Sequence, residues 1–297
     1  MTPIERFAPS PNGALHLGHA FSCLTAYDAA RAAGGMFLLR IEDLDQGRAR
    51  EAFVEEIEAD LRWLGVDWPR PAMRQSQRGA AYREALPRLA LRGLLYPCTC
   101  TRRDLAASLD APLEGGVECG VGGPDGAPYP GTCREGNANP GAPHALRLDM
   151  RRAVMRLGGP ASVAAITMEE VGEGPNGETG SRRLDPDWLV DVCGDVVLAR
   201  KDAAAAYHLA VVVDDADQHV SHVPRGADLY EASALHRLLQ SLLELPVPVW
   251  RHHRLIRDAS GRRLAKRDRD AGLAELRAAG ETPEGIRARR GLLPAGA

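Results

Sequence analysis

The chain has 297 residues and a formal net charge of −3, with 44% hydrophobic and 26% charged residues. This balance is ordinary for a globular protein with a real core, and it argues against a chain that coats nucleic acid nonspecifically. No apolar run approaches the roughly 20 residues needed to span a bilayer. The first ten residues lack the layout of a signal peptide, so we expect a cytoplasmic protein.

The first 66 residues predict alternating strands and helices. Residues 4–9 read as a short strand that leads into a Pro/Gly loop, and residues 19–33 have helical spacing. A continuous apolar run at 36–43 predicts a buried parallel strand, and 51–66 predict an amphipathic helix. This alternation is typical of a doubly wound α/β domain, which binds ligands at the carboxyl ends of its strands.

The strands and helices predicted after residue 66 do not alternate regularly. We expect helices over 80–95 and through most of the region after 225, and strands over 144–150, 195–200 and 209–215. Two segments rich in turn-forming residues predict exposed structure, namely an inserted loop or small metal module over 106–143 and a loop over 172–183.

Two histidines, His16 and His19, flank Gly18 at the point where a Pro/Gly loop becomes a helix. A helix start offers free N–H groups and a positive dipole end, and both favour an anion. Gly18 allows a nucleotide to approach the backbone closely, and the imidazoles can donate hydrogen bonds to phosphate oxygens. This pattern favours chemistry on a nucleoside triphosphate. The alternative is a pair of surface or capping histidines.

A second motif, the basic stretch RLAKRDR over 263–269, lies about 250 residues further along the chain. Lys266 is the residue of this motif best suited to bind a triphosphate, because a lysine is a mobile point charge. A solvated run of charge is the usual explanation for such a segment. The occurrence of both motifs in one chain is explained if both contact the same polyphosphate.

The six cysteines, at positions 23, 98, 100, 119, 133 and 193, are unevenly clustered. Such clustering in a chain without a secretion signal indicates thiols that bind metal. Cys98 and Cys100 can grip one tetrahedral ion, and a distant cysteine can close the site. Free thiols without a metal are the alternative, and Cys23 and Cys193 are expected to be small buried residues.

Five stretches resemble the catalytic core of the glutamyl-tRNA synthetases, a class I aminoacyl-tRNA synthetase family, in the family's order. They are RFAPSPNGALHLGH, FLLRIEDLD, AYHLAVVVDD, RGADL and RLAKR. HLGH resembles the first signature of that class, and RLAKR resembles the second, usually written KMSKS. Three polar positions of the second signature differ, because Arg263, Ala265 and Arg267 replace its first Lys and both Ser residues. Lys266 is kept.

The length of the chain after this motif points to one subfamily. Only about 30 residues follow Arg267, too few for the helical anticodon-reading domain of a discriminating glutamyl-tRNA synthetase. The shorter form resembles the glutamyl-Q tRNA(Asp) synthetases. That resemblance implies activation of L-glutamate with ATP and Mg²⁺ and transfer to the queuosine base in the anticodon loop of tRNA-Asp. A paralogue that charges a tRNA 3′ end and a tRNA-binding module impaired in catalysis are the alternatives. We expect a monomer.

The resemblance also implies which residues contact the substrates. Glutamate is expected against Arg6, Phe7, Ala8, Pro9, Ser10, Glu42, Tyr207 and Arg225. ATP is expected against His16, Gly18, His19 and Lys266, of which the two histidines and Lys266 are catalytic. Glu42 would take the α-ammonium group, and the Arg225 fork would pair with a carboxylate. The alternatives are a salt bridge of Glu42 with Arg40 or Arg48, core packing of Tyr207 and a surface position for Arg225.

A structural zinc site is implied in the same way. Cys98, Cys100, Tyr129 and Cys133 resemble the three cysteines and one tyrosine that bind Zn²⁺ in this family. Cys119 is the alternative fourth ligand, because a thiolate is a softer and commoner zinc ligand than a phenol.

We therefore expect an α/β fold, with a class I synthetase Rossmann-like doubly wound parallel sheet, a zinc-binding insert and a small helical C-terminal region. The expected divisions are a first catalytic half, the insert, a second catalytic half and the C-terminal region with the KMSKS-like loop. They cover 1–97, 98–143, 144–228 and 229–297.

Overall fold

Ten strands and nine helices carry the fold in the residues that the computed structural model describes, which are 2–101, 103–105, 123–139, 141–256 and 272–289. The strands are β1 (Ile4–Phe7), β2 (Met36–Ile41), β3 (Met73–Arg74), β4 (Leu95–Cys98), β5 (Ala145–Leu148), β6 (Thr167–Glu170), β7 (Gly180–Arg183), β8 (Val197–Ala199), β9 (His222–Gly226) and β10 (Val249–His253). The helices are α1 (Leu17–Ala32), α2 (Glu51–Trp63), α3 (Gly79–Ala90), α4 (Met150–Arg156), α5 (Pro160–Ala164), α6 (Tyr207–Asp217), α7 (Tyr230–Leu243), α8 (Leu273–Ala278) and α9 (Pro283–Arg289).

A seven-stranded sheet has the order β3-β2-β1-β9-β10-β6-β7. All neighbours in it are parallel except β6 and β7, which pair antiparallel at one edge. Strands β2 and β3 lie on one side of β1, and the later strands of the sheet lie on its other side. The boundary between β1 and β9 is therefore the topological switch point at which doubly wound folds bind ligands.

A smaller antiparallel sheet has the order β4-β5-β8, and its first strand follows α3 in the chain. Its strands pack into the larger of two main hydrophobic clusters, together with α6 and α7. The second cluster lies between β1, β2, α1 and α2 and also includes Leu273 and Ile286 of the C-terminal helices. The C-terminal segment is thus packed onto the half of the molecule that carries the first motif.

The doubly wound α/β architecture is confirmed, but two local predictions are wrong. Residues 209–215, predicted as a strand, lie inside helix α6, and all seven are buried. A helix covered on all sides shows a continuous apolar run, so periodicity could not separate it from a buried strand. Residues 172–183 were predicted as a loop, yet 180–183 form β7. This edge strand has the exposed polar sequence GSRR and pairs with β6.

No helix among the described residues is both long enough and apolar enough to cross a membrane.

Candidate active site and thiol cluster

A cleft of about 470 Å³ opens at the carboxyl ends of β1, β2, β9 and β10. Its walls include most of the residues expected to contact glutamate or ATP. The expected residues that line it are Arg6, Phe7, Ala8, Pro9, Ser10, Gly18, His19, Glu42, Tyr207 and Arg225. Sequence positions more than 200 apart therefore meet at one site, as the strand order requires. The sequence prediction did not include Asp228, His253 and Arg254, which also line it.

The histidines of the first motif begin helix α1. The backbone N–H of Gly18 donates to His16 Nδ1 (3.0 Å), and the N–H of His16 donates to His19 Nδ1 (3.1 Å). A neutral imidazole that accepts at Nδ1 carries its proton on Nε2, so each ring keeps a donor on its other nitrogen. The two ring centroids are 3.8 Å apart. Helix capping and a role toward phosphate are thus compatible in the same side chains.

Gly18 is required by this arrangement. A Cβ atom at that position would lie 2.9 Å from His16 Cε1, closer than such atoms approach in proteins. His19 and Gly18 line the cleft, whereas His16 is outside the lining residues and its ring contacts the His19 ring.

Arg6 is buried and is held by an acid that the sequence prediction did not assign. Its Nε and Nη2 donate to the two carboxylate oxygens of Asp215, each at 3.2 Å, and Arg40 Nη1 donates to the same carboxylate at 2.6 Å. Burial opposes ionisation of Asp215, but the two arginines outweigh it and lower its pKa to about 2. Asp215 ends the stretch AYHLAVVVDD, and that acidic ending was the available signal.

Glu42 follows β2 and lines the cleft while it also pairs with Arg40 Nη2 at 3.5 Å. Its side chain is only 10% exposed, and burial raises its pKa although Arg40 and Arg6 oppose the shift. The salt bridge considered for Glu42 is therefore present, and it leaves the carboxylate at the cleft wall. A carboxylate in that position can accept hydrogen bonds from an ammonium group.

Arg225, on β9, is buried rather than at the surface. Its Nη1 donates to His236 Nδ1 (3.1 Å) and to Ser233 Oγ (3.4 Å), and its Nη2 donates to Tyr207 Oη (3.4 Å). Each of these partners is neutral, and within the described ranges no carboxylate oxygen lies within 4.0 Å of this guanidinium. Burial lowers the pKa of Arg225. The cleft therefore contains a buried cation that can bind an anionic ligand.

Lys266 and the rest of the second motif lie outside the described residues, as does Cys119. The described chain before that motif lies at the cleft, and the described chain after it lies against the first motif. Ile256 lines it, and Gly272 forms a bridge with His16, next to a hydrogen bond from the N–H of Leu273 to the carbonyl of Leu15 at 2.7 Å. One flank of the motif thus lies at the cleft and the other at the first motif.

Three thiols and one phenol meet at a second, smaller site, the thiol cluster of Cys98, Cys100, Cys133 and Tyr129. The three sulfur atoms lie within 4.8 Å of one another. Tyr129 Oη lies 3.5 Å from the Sγ of Cys98 and 3.4 Å from that of Cys100, and it accepts a hydrogen bond from the backbone N–H of Cys133 at 2.9 Å. Four donors around one centre match the number that tetrahedral zinc uses.

The thiols of this cluster differ in acidity. Burial raises the pKa of Cys100 to about 11. For Cys133, hydrogen bonds from Tyr129, from the Thr99 backbone and from the other thiols outweigh burial and lower the pKa to about 7. A thiolate is the form that binds metal. The Arg147 guanidinium lies 3.9 Å from the centre of the Tyr129 ring, on its face.

Comparison with known proteins identifies the family. The model described as tRNA synthetases class I (E and Q), catalytic domain, matches residues 4–112 and 186–293. A glutamyl-Q tRNA(Asp) synthetase of Rhodobacter capsulatus is 50% identical over 293 residues, covering 97% of this chain and 100% of that protein. The chain belongs to the glutamyl-Q tRNA(Asp) synthetases. A second such synthetase, from Symbiobacterium thermophilum, is 42% identical over 95% of this chain and 83% of its own length.

Solved structures give the same fold. A glutamate tRNA ligase of Elizabethkingia meningosepticum, in complex with its amino acid, aligns with a TM-score of 0.67 and 26% identity. The glutamate-tRNA synthetase of Elizabethkingia anophelis aligns with a TM-score of 0.69 and 25% identity. Each alignment covers 90% of this chain, which spans about half of those proteins, 52% and 53%. The predicted family, fold and ligase class of this synthetase are therefore confirmed.

Proposed function

We propose that this synthetase activates L-glutamate with ATP and transfers it to the queuosine base in the anticodon loop of tRNA-Asp. The observation that carries the proposal is the buried Arg225 cation at the switch point of a class I sheet, in the same cleft as the Glu42 carboxylate. A ligand with one ammonium and more than one carboxylate group complements both charges. Queuosine and tRNA-Asp are taken from the name of the Rhodobacter capsulatus relative, which this chain matches along its whole length.

The first step joins glutamate to AMP. A carboxylate oxygen of glutamate attacks the α-phosphorus of ATP, the bond to the bridging oxygen breaks, and pyrophosphate leaves. No protein nucleophile is needed, because positioning and charge stabilisation lower the barrier. Arg225 and Tyr207 hold glutamate, Glu42 accepts from its ammonium group, and Gly18 leaves room for the nucleotide beside His16 and His19. We assign Lys266 as the cation that contacts the triphosphate. Mg²⁺ would bind together with the triphosphate.

The second step transfers glutamate to RNA. A hydroxyl on the cyclopentene ring of queuosine attacks the carbonyl carbon of the adenylate, and AMP leaves. We assign tRNA-Asp as the RNA partner, and we propose that the enzyme is a monomer. We also propose that it acts in the cytoplasm, because ATP, glutamate and tRNA share that compartment. The division at 1–97, 98–143, 144–228 and 229–297 remains part of this proposal.

We assign a structural zinc ion to the thiol cluster. Three sulfur donors and a phenol oxygen around one centre fit Zn²⁺ better than Mg²⁺ or Ca²⁺, which prefer oxygen ligands. The ion would hold the segment from Tyr129 to Cys133 against the end of β4, where Cys98 lies.

Two assays test the function. Glutamate-dependent exchange of pyrophosphate into ATP, measured with and without tRNA, is expected, and its absence under both conditions contradicts the catalytic assignment. Transfer of labelled glutamate to tRNA is then followed by removal of the tRNA 3′ end. The label is expected to remain with the anticodon portion. Loss of the label with the 3′ end would indicate ordinary aminoacylation.

A further inference from the structure

A buried line of hydrogen bonds runs from the cleft to the insert. Arg225 Nη1 lies 3.1 Å from His236 Nδ1, His236 Nε2 lies 3.0 Å from His208 Nδ1, and His208 Nε2 lies 3.1 Å from Asp125 Oδ1. These four residues come from β9, α7, α6 and the insert, respectively. Both histidines are buried, and Arg225 is 4% exposed.

The chemistry of the end groups fixes the direction of every bond in this line. A guanidinium only donates, so His236 Nδ1 accepts from Arg225 and the proton of the neutral ring is on Nε2. That nitrogen donates to His208 Nδ1, which leaves the proton of His208 on Nε2, facing Asp125. A carboxylate only accepts, so the last bond has the same direction. Burial and the Arg225 charge hold the pKa of His236 well below its usual value, consistent with a neutral ring.

A second line supports the same guanidinium nitrogen. Arg225 Nη1 also lies 3.4 Å from Ser233 Oγ, and Ser233 Oγ lies 3.1 Å from His252 Nε2. His252 Nδ1 in turn contacts the Glu170 carboxylate. The direct partners of Nη1 are thus neutral groups, and each line of hydrogen bonds ends at a carboxylate, Asp125 in the first line and Glu170 in the second. This keeps the guanidinium in place without neutralising it, which is what preorganisation for an anionic ligand requires.

Asp125 is the exposed end of the first line. Its side chain is 53% exposed, and burial would raise its pKa, but the hydrogen bond from His208 outweighs this and lowers it. It lies four positions before Tyr129 of the thiol cluster. We propose that Asp125, acting through His208 and His236, is a positioning residue for Arg225, so that the insert sets the affinity for a glutamate carboxylate. This proposal rests on the assignment of Arg225 to glutamate binding.

Four variants of the full chain test the line. His236→Gln places an amide near the Nε2 position and loses the acceptor for Arg225, whereas His236→Asn keeps an acceptor near Nδ1. Removing a hydrogen bond to a charged group should raise the KM for glutamate about tenfold or more in His236→Gln and less in His236→Asn. Asp125→Asn should raise it several-fold, and Glu135→Gln, an exposed acid of the same insert, should not. The KM for ATP should stay unchanged in all four.

Nitrogen NMR of histidine-labelled protein gives a readout that does not depend on activity. We expect both His208 and His236 as neutral rings with the proton on Nε2, and Asp125→Asn should shift the signals of both. A proton on Nδ1 of either ring would overturn the proposal. So would a KM for glutamate in Asp125→Asn within about twofold of that in Glu135→Gln. If the wild type shows no glutamate-dependent exchange, the proposed function fails, and the ring signals still decide whether the line holds Arg225.

Discussion

The cleft and the thiol cluster have opposite charge requirements. In the cleft, Arg225 is a buried cation whose three hydrogen-bond partners are all neutral. In the thiol cluster, three thiols and a phenol converge, and the nearby Arg147 guanidinium lies over the Tyr129 ring. One site is therefore suited to an anion and the other to a cation.

A third buried group, the Asp215 carboxylate, is paired with counter-ions of the protein itself, and we call such a group a completed charge. Asp215 accepts from both Arg6 and Arg40, and its low pKa reflects that pairing. Groups of this kind stabilise the fold and position their neighbours, whereas a buried charge without a counter-ion is a place for a ligand. The difference predicts which substitutions should affect ligand binding and which should affect stability.

The largest effect is expected at the thiol cluster. Cys133→Ser removes the thiol whose pKa is lowered to about 7 and should abolish zinc binding, since a structural site needs all its ligands. The wild type should retain one zinc ion per chain after dialysis against a weak chelator, as measured by atomic emission. Cys23→Ala, a buried cysteine in α1, is the control and should retain the metal. Equal zinc content in Cys133→Ser and wild type would mean that the cluster is not the metal site.

Arg225→Gln should separate function from stability. Loss of the bidentate cation should lower kcat/KM for glutamate in pyrophosphate exchange by about a thousandfold, while the free energy of unfolding should change by no more than about 1 kcal/mol. The small change follows because a desolvated cation without an anionic partner contributes little to stability. Arg48→Gln, an exposed arginine paired with Asp45, should change neither quantity. Strong destabilisation by Arg225→Gln would show that the cation is structural.

These sites differ in how well the sequence predicts them. The first 66 residues carry local patterns, so β1, α1, β2 and α2 could be predicted within a few residues. In the thiol cluster, the short spacing of Cys98 and Cys100 predicts two ligands of one ion, whereas Tyr129 and Cys133 were expected from the resemblance to the family's zinc module.

The hydrogen-bond partners of the cleft arginines could not be predicted in this way. Asp215 and His208 lie on α6, whose all-round burial produced an apolar run with no helical period. His236 lies 11 positions after Arg225, on a different element, and only the packing of α7 on α6 brings it to His208. Tertiary packing, rather than local spacing, determines these contacts.

Asp215→Asn should act mainly on stability. Removing this carboxylate leaves Arg6 and Arg40 buried without their shared partner, and a broken buried pair costs about 3–5 kcal/mol of unfolding free energy. Urea denaturation measures the change. Asp45→Asn, which breaks an exposed pair with Arg48, should cost less than about 1 kcal/mol. Similar losses in both variants would contradict the structural role assigned to Asp215.

The smallest effect concerns Asp60, a buried acid in α2 whose ion pair with Arg277 spans 3.6 Å. Burial raises the pKa of Asp60 to about 6, although Arg277 opposes the shift. The native state therefore binds this proton more tightly than the unfolded state does. The stabilisation is fully present below about pH 4 and is lost as pH rises through about 6.

Between pH 5 and pH 7 the wild type should therefore lose about 1 kcal/mol more unfolding free energy than Asp60→Asn, which has no proton to release. Urea denaturation at both pH values measures the difference, and Asp67→Asn, an exposed acid after the same helix, should follow the wild type. Parallel pH profiles for wild type and Asp60→Asn would mean that Arg277 balances this carboxylate as fully as Arg6 and Arg40 balance Asp215. Asp60 would then be a second completed charge instead of a buried acid that the fold keeps partly protonated.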